Sequence, residues 1–184
     1  MIKARTTSSP MAFAAAAAAL VVILSAWGAD ATIESTCRDA KARDGRVDVA
    51  FCTRQFLAYR GAAEADAWGL ARAGALIGIN LCDDAIFDLT HGKIYPKPSK
   101  KAEEAMGGCV NAYDKVGLAF AEASDELRSR RYADAKQEMG RVAAVLQRCD
   151  AGLAKAGVAS PLPRYSADTS QTAIITIAIT SLIK

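Results

Sequence analysis

Between Tyr132 and Leu153 the apolar side chains fall at Tyr132, Ala135, Met139, Val142, Leu146, Cys149 and Leu153, in alternating steps of 3 and 4. Only an α-helix puts residues so spaced on one face, and a stripe this narrow is the seam of a bundle. Ala105, Cys109, Ala112, Val116, Phe120, Ala123 and Leu127 form a second such stripe just before it. The charged link Arg128, Ser129, Arg130 and Arg131 joins the two. Position 129 is midway between Cys109 and Cys149, so antiparallel helices turning there bring both cysteines level on the seam. A disulfide between them is geometrically reasonable, provided the Cα atoms come within about 4.4–6.8 Å.

The rest of the chain supplies partners for this helical pair. Glu64 to Leu89 reads as a long helix with Trp68, Ala71, Ala75, Ile79, Cys82, Ile86 and Leu89 in its stripe. Gly69, Gly74 and Gly78 weaken that helix by up to about 1 kcal/mol each, and such small residues let a neighbouring helix come close. Tyr95, Pro96, Lys97 and Pro98 end this region, because proline cannot continue a helix. Ser99 is placed to cap the next helix, Lys101 to Leu127. After Leu153, Gly157 to Arg164 reads as an ordered loop with Pro161 and Pro163. Ser166 to Ile183 is rich in isoleucine and threonine, and local propensity says strand. Its period says helix: Thr172, Thr176 and Thr180 fall four apart on one polar edge, and apolar residues cover most of the remaining surface.

Ahead of these lie two short helices, Ile33 to Ala42 and Asp48 to Tyr59, reversing at Arg43, Asp44 and Gly45. Cys37 and Cys52 flank that turn symmetrically. A bridge between them would be worth roughly 3 kcal/mol on the chain-entropy model, which so short a hairpin needs. The expected fold is therefore all-α: an up-down-up-down four-helix bundle preceded by a short disulfide-closed helical hairpin. Cys82 complicates the pairing. Tyr95 and Pro96 are midway between positions 82 and 109, so Cys82, Cys109 and Cys149 can share one level, and spacing does not say which two pair.

Lys3 and Arg5 precede an apolar run, Met11 to Leu24, and Ala29, Asp30 and Ala31 follow it. This is the pattern of a secretory signal peptide, residues 1–31, and the run is short of the ~20 residues that span a bilayer. Residues 32–184 then form one domain, with the hairpin in 32–60 and the bundle in 64–184. That part has 21 Lys plus Arg against 19 Asp plus Glu. So even a balance gives no footing for nucleic acid, or for a membrane after signal removal. Secretion permits disulfides, and five cysteines leave at least one unpaired. No nucleophile–base pair, phosphate loop or metal-ligand spacing occurs, so no catalysis, metal or cofactor is expected. The single histidine, His91, sits beside Gly92 where it caps a helix end.

These features together resemble the plant invertase and pectin methylesterase inhibitor family, over essentially the whole of residues 32–184. The residues that carry the likeness are Thr36 with Cys37, Phe51 with Cys52, Cys109 followed by Tyr113, and Cys149. Ala133, Asp134 and Ala135 after an aromatic, then Ser160, Pro161 and Leu162, then the ending Thr172 to Ile183, complete it. The chain looks like the branch containing invertase-inhibitor-like pollen allergens. The resemblance implies the pairs Cys37–Cys52 and Cys109–Cys149, with Cys82 a free thiol.

It also implies a secreted inhibitor acting in the apoplast or cell wall, or in the vacuole, in a 1:1 complex with its target enzyme. Invertase inhibitors of the family plug the sucrose cleft with a Pro-Lys-Phe triplet in the link between the second and third bundle helices. Arg130, Arg131 and Tyr132 stand there in this chain, without the proline and with arginine for lysine. Invertase is the first expected target and these three the expected contacts. The alternative is pectin methylesterase, met by bundle helix faces with polar residues such as Asp83, Asp84, Lys115 and Glu122. A reading of another class is a secreted helical-bundle ligand for a receptor. The cationic residues also have a plainer role, complementing the negative end of the preceding helix, and Tyr132 a plainer one as a core residue.

Overall fold

The computed structural model describes residues 33–91, 99–160 and 162–184. The expected signal peptide, the turn around Tyr95 to Pro98 and Pro161 lie outside the described residues. Helix α1 covers 33–43. It is followed by α2 (Val49–Ala58), α3 (Ala67–Thr90), α4 (Lys100–Arg128), α5 (Tyr132–Gly140), α6 (Val142–Lys155) and α7 (Pro163–Thr180). Side chains set several of the starts. Asp48 accepts from Phe51 N at 3.0 Å, Asp66 from Gly69 N at 2.8 Å and Ser99 from Ala102 N at 3.3 Å. Each satisfies an amide that has no partner in the first turn of a helix.

α3, α4, the α5–α6 pair and α7 form a ring: α3 packs on α4 and α7, α4 on α5 and α6, and α7 closes on α5 and α6. Neighbours run antiparallel. Along α3, Trp68 meets Leu127, Gly78 meets Phe120 and Cys82 meets Gly117, so α4 is met in reverse order. The Cys109–Cys149 bridge ties α4 to α6 with Cα atoms 4.7 Å apart, and Cys37–Cys52 ties α1 to α2 at 5.9 Å. Cys82 is free and buried.

The seam residues lie where their spacing puts them. Cys109, Val116, Phe120, Ala123, Leu127, Ala135, Met139, Val142, Leu146, Cys149 and Leu153 are all buried, and Tyr132 is half-buried. The single helix expected over 132–153 is interrupted once. The Arg141 amide turns back to Glu138 O at 3.2 Å, and the α-helical pattern resumes with Val145 N on Arg141 O. Gly140, a poor helix former, precedes the break. Arg141 keeps helical dihedrals, so the stripe passes through without changing face.

The last helix starts three residues earlier than expected, at Pro163. Proline is well suited to a first helical position, where its missing N–H loses no bond. The threonines correct the expectation more substantially. Thr172, Thr176 and Thr180 are not an outward polar edge; they are buried, with Thr169. Their hydroxyls donate to the carbonyls four residues back, Asp168, Thr172 and Thr176, at 2.8, 2.7 and 2.6 Å. Burial is then inexpensive because no hydroxyl of these three is left unpaired. Thr176 presses against Gly74, where a Cβ would lie 2.4 Å from its Oγ1. No residue from Thr169 to Ile183 is exposed.

A polar network anchors the start of α7. Tyr113 Oη and Ser166 Oγ are 3.1 Å apart, Ser166 and Ser160 both donate to Asp150 Oδ1, and Tyr165 donates to Asp88 Oδ2 at 2.8 Å. Burial pushes the Tyr113 phenol up to about 12.

Candidate functional site

The α4–α5 turn gathers the three residues expected to meet a target. α4 ends in a tight cap: Arg131 N bonds Glu126 O at 2.8 Å and Arg130 N bonds Leu127 O at 3.1 Å. This is the double bond of a Schellman motif, which needs a left-handed residue between the two helices and usually takes glycine there. Here it is Arg130, with φ 59°. A non-glycine side chain in that conformation costs roughly 1–2 kcal/mol.

The cations of the turn differ in their engagement. Arg128 pairs with Asp125 at 2.9 Å. Arg131 pairs with Glu126 and lies 3.9 Å from Asp134. The Arg131 hydrogen bond holds the Glu126 carboxyl below its usual range, and Glu126 in turn raises Arg131. Arg130 forms no ion pair among the described residues. Its guanidinium donates to Tyr132 Oη at 3.3 Å and lies 5.9 Å from the Trp68 ring centroid. Arg131, Arg130 and Tyr132 are thus together, but Arg131 is already neutralised by acids of its own hairpin.

A second surface lies along α4 and α6. A groove of about 540 Å³ is lined by Glu104, Asn111, Lys115 and Arg148, over a floor that includes Gly108 and Gly152. A Cβ on either glycine would meet nothing within 4 Å, so the groove is open there. Cys149 lines it too, so the Cys109–Cys149 bridge stiffens its base. Lys115 and Arg148 form no ion pair among the described residues. A smaller recess of about 230 Å³ continues past Lys115 to Glu122, Glu138 and Arg141. Lys115 and Glu122 therefore share one face. Asp83 belongs to another, lining a recess between α3 and α4 with Cys82 and Asp114, and Asp84 is exposed on α3.

The remaining candidates have structural roles. Burial, reinforced by nearby Asp83, pushes the Cys82 thiol up to about 12, away from nucleophilic use. His91 caps α3: its N–H bonds Phe87 O, and its ring stacks on Phe87 at 3.9 Å. Among the described residues no group of three or more His, Cys, Asp or Glu is placed to hold a metal. Among the described residues no helix is long and apolar enough to cross a membrane. Trp68 and Arg72, which turn out to border the α4–α5 turn, were legible only as helix residues, because their relation to Arg130 is set by packing.

Comparison with known proteins agrees with this architecture. The family model described as plant invertase/pectin methylesterase inhibitor matches residues 31–179. Pectinesterase inhibitor 12 of Oryza sativa subsp. japonica is 40% identical over 92% of this chain and 83% of its own. Pectinesterase inhibitor 8 of the same plant is 39% identical over 85% and 86%. A Platanus orientalis protein named "Putative invertase inhibitor" is 26% identical over 82% and 89%. With the family match running through hairpin and bundle alike, the chain belongs to the plant invertase/pectin methylesterase inhibitor family, whose members are inhibitors and not catalysts.

Proposed function

We propose that this chain is a secreted inhibitor of pectin methylesterase, formed by residues 32–184 after loss of a leader in 1–31, and that it binds its target one to one. The observation that carries the choice of target is the pairing of Arg131 with Glu126 and Asp134. An invertase plug would bring Arg131 to the cleft together with these two acids, so the turn offers an acidic cleft less net positive charge than a free cation would. Lys115 and Arg148 along α4 and α6 carry no such commitment, and uncommitted charges on a stiff face suit recognition of a complementary enzyme surface. The names of the two rice relatives favour the same target, at 39% and 40% identity against 26% for the plane-tree protein named for invertase. Invertase, expected first from the turn, becomes the second reading, supported by the exposed Arg130 beside Tyr132.

The test is inhibition of purified pectin methylesterase and cell-wall invertase by the parent protein at mildly acidic pH. Pectin methylesterase alone should be inhibited. Charge reversal at Lys115→Glu with Arg148→Glu should weaken that inhibition by about tenfold or more while the melting temperature holds. Inhibition of invertase alone would overturn the assignment. An unaffected double variant would overturn the α4–α6 face as the contact.

A further inference from the structure

The groove along α4 and α6 is kept open at some cost to its own helices. Gly108 and Gly152 lie inside them, and glycine is among the poorest helix formers. On α3 such glycines make room for a neighbour, Gly74 for Thr176 and Gly78 for Phe120. At Gly108 and Gly152 nothing in the chain takes up the room. Four polar side chains stand over this floor, Glu104, Asn111, Lys115 and Arg148, and all are exposed. Glu104, Lys115 and Arg148 form no ion pair among the described residues. On α4, Glu104, Gly108, Asn111 and Lys115 follow steps of 4, 3 and 4, one line down a single face. At 1.5 Å per residue that line is ~16 Å long. The Cys109–Cys149 bridge sets the register of α6, so Arg148 stands beside the middle of the line. Lys115 ends it, about 7–8 Å further along the helix. The same bridge stiffens the floor, so little freedom is lost when the groove is filled.

We propose that this groove binds a strand of de-esterified polyuronate, the polymer left when pectin methylesterase turns methyl esters into carboxylates. The choice of polymer rests on the reading of the target above; the shape and lining of the groove do not. Lys115 and Arg148, set apart along the groove, take two carboxylates of one strand. The paired donors of the guanidinium match the two oxygens of one of them. Glu104 and the Asn111 amide accept from ring hydroxyls. A polyuronate brings both an acid and hydroxyls in every unit, which suits a lining of cations and acceptors together. A fully esterified strand offers the cations no charge, and a polyanion without hydroxyls sets its charge against Glu104. The gap over Gly108 and Gly152 admits a sugar ring where side chains would otherwise stand. Residues 32–184 are nearly balanced in charge, so the groove and not the net charge does the binding. Besides inhibiting, the protein is then retained where de-esterified pectin is exposed.

Calorimetry of the protein as secreted, titrated with a short oligogalacturonate, tests this without enzyme. A chelator removes calcium so that strands stay single. The comparison probes are the same oligomer fully methyl-esterified and polyglutamate, at equal ionic strength. The unesterified oligomer should bind saturably, and the other two at least about tenfold more weakly. Lys115→Glu with Arg148→Glu should abolish binding. Gly152→Leu should weaken it by about tenfold or more with every charge in place, because the new side chain fills the floor. Leucine is a good helix former and meets no neighbour there, so the melting temperature should hold or rise. Gly107→Leu, on α4 but outside the groove, should bind as the parent does. Equal binding of either comparison probe, or parental binding by Gly152→Leu, would overturn the groove as a uronate site. No binding of the unesterified oligomer would overturn it outright. Enzyme assays separate the two claims. A parent that binds the oligomer and inhibits no pectin methylesterase keeps the groove and sinks the inhibitor reading; one that inhibits the enzyme and binds no oligomer does the reverse.

Discussion

Small side chains decide how closely α3 is approached, and they do so one position at a time. A Cβ on Gly78 would lie 2.5 Å from the ring of Phe120, which is fully buried. Gly78→Ala should therefore destabilise the bundle by about 1–3 kcal/mol through overpacking. That exceeds the helix-propensity gain of up to about 1 kcal/mol. Gly107→Ala is the matched control, because a Cβ there meets nothing within 4 Å. It should be stabilising by up to about 1 kcal/mol. Thermal melting of the two variants checks the pair, and equal losses would mean that propensity rather than contact governs both. The glycine spacing announced a close neighbour, but the neighbours themselves, Thr176 for Gly74 and Phe120 for Gly78, are separated from them by long stretches of sequence.

Among the elements, the N-terminal hairpin depends most on local chemistry. Its turn is fixed by Asp44, whose carboxylate takes Arg46 Nη2 at 2.6 Å, Nε at 3.0 Å and the Arg46 amide at 3.0 Å. These bonds, the Arg46 side chain first, hold the Asp44 carboxyl down at about 2 from 3.8. A depressed acid contributes stability that is complete above the unfolded value and is lost as pH falls through the folded one. The melting difference between the parent and Asp44→Asn should therefore be constant at the mildly acidic pH of a plant cell wall. It should vanish only as pH falls through about 2. A difference that already shrinks at pH ~5 would contradict the Asp44–Arg46 bonds. The bridge contributes more. Replacing Cys37 and Cys52 together by alanine should cost about 3 kcal/mol on the loop-entropy model. The loss should appear as early melting of α1 and α2 in hydrogen exchange, with the bundle seam still protected.

At the scale of the molecule, the reading turns on which charges are free. Arg131→Ala removes a cation already balanced by Glu126 and Asp134, so inhibition of pectin methylesterase should change by less than about threefold, in keeping with the small worth of exposed pairs. A loss well above tenfold, with melting unchanged, would return the contact to the turn and favour the invertase plug. Added salt should weaken inhibition by the parent more than inhibition by the Lys115→Glu, Arg148→Glu variant, because screening acts on charges that remain exposed before binding.

The seams of α4 and of α5–α6 were legible because a 3.6-residue period is a property of the chain alone, and burial of those stripes follows from it. The helical nature of α7 was legible for the same reason, against its strand propensity. The face it buries was not. Threonine reads as polar, yet its hydroxyl can bond its own helix and its small size lets α3 come close at Gly74; only the presence of α3 makes that the favoured side. The break at Arg141 leaves the period unchanged, so no spacing in the chain marks it. Arg130 and Arg131 were visible as adjacent cations, equivalent by type. The fold separates them: the cap of α4 turns Arg131 onto Glu126 and sends Arg130 toward Trp68 and Arg72, which no spacing in the chain connects to it. Local periodicity belongs to the sequence; the partner of a charge belongs to the tertiary structure, because it depends on distances that only packing sets.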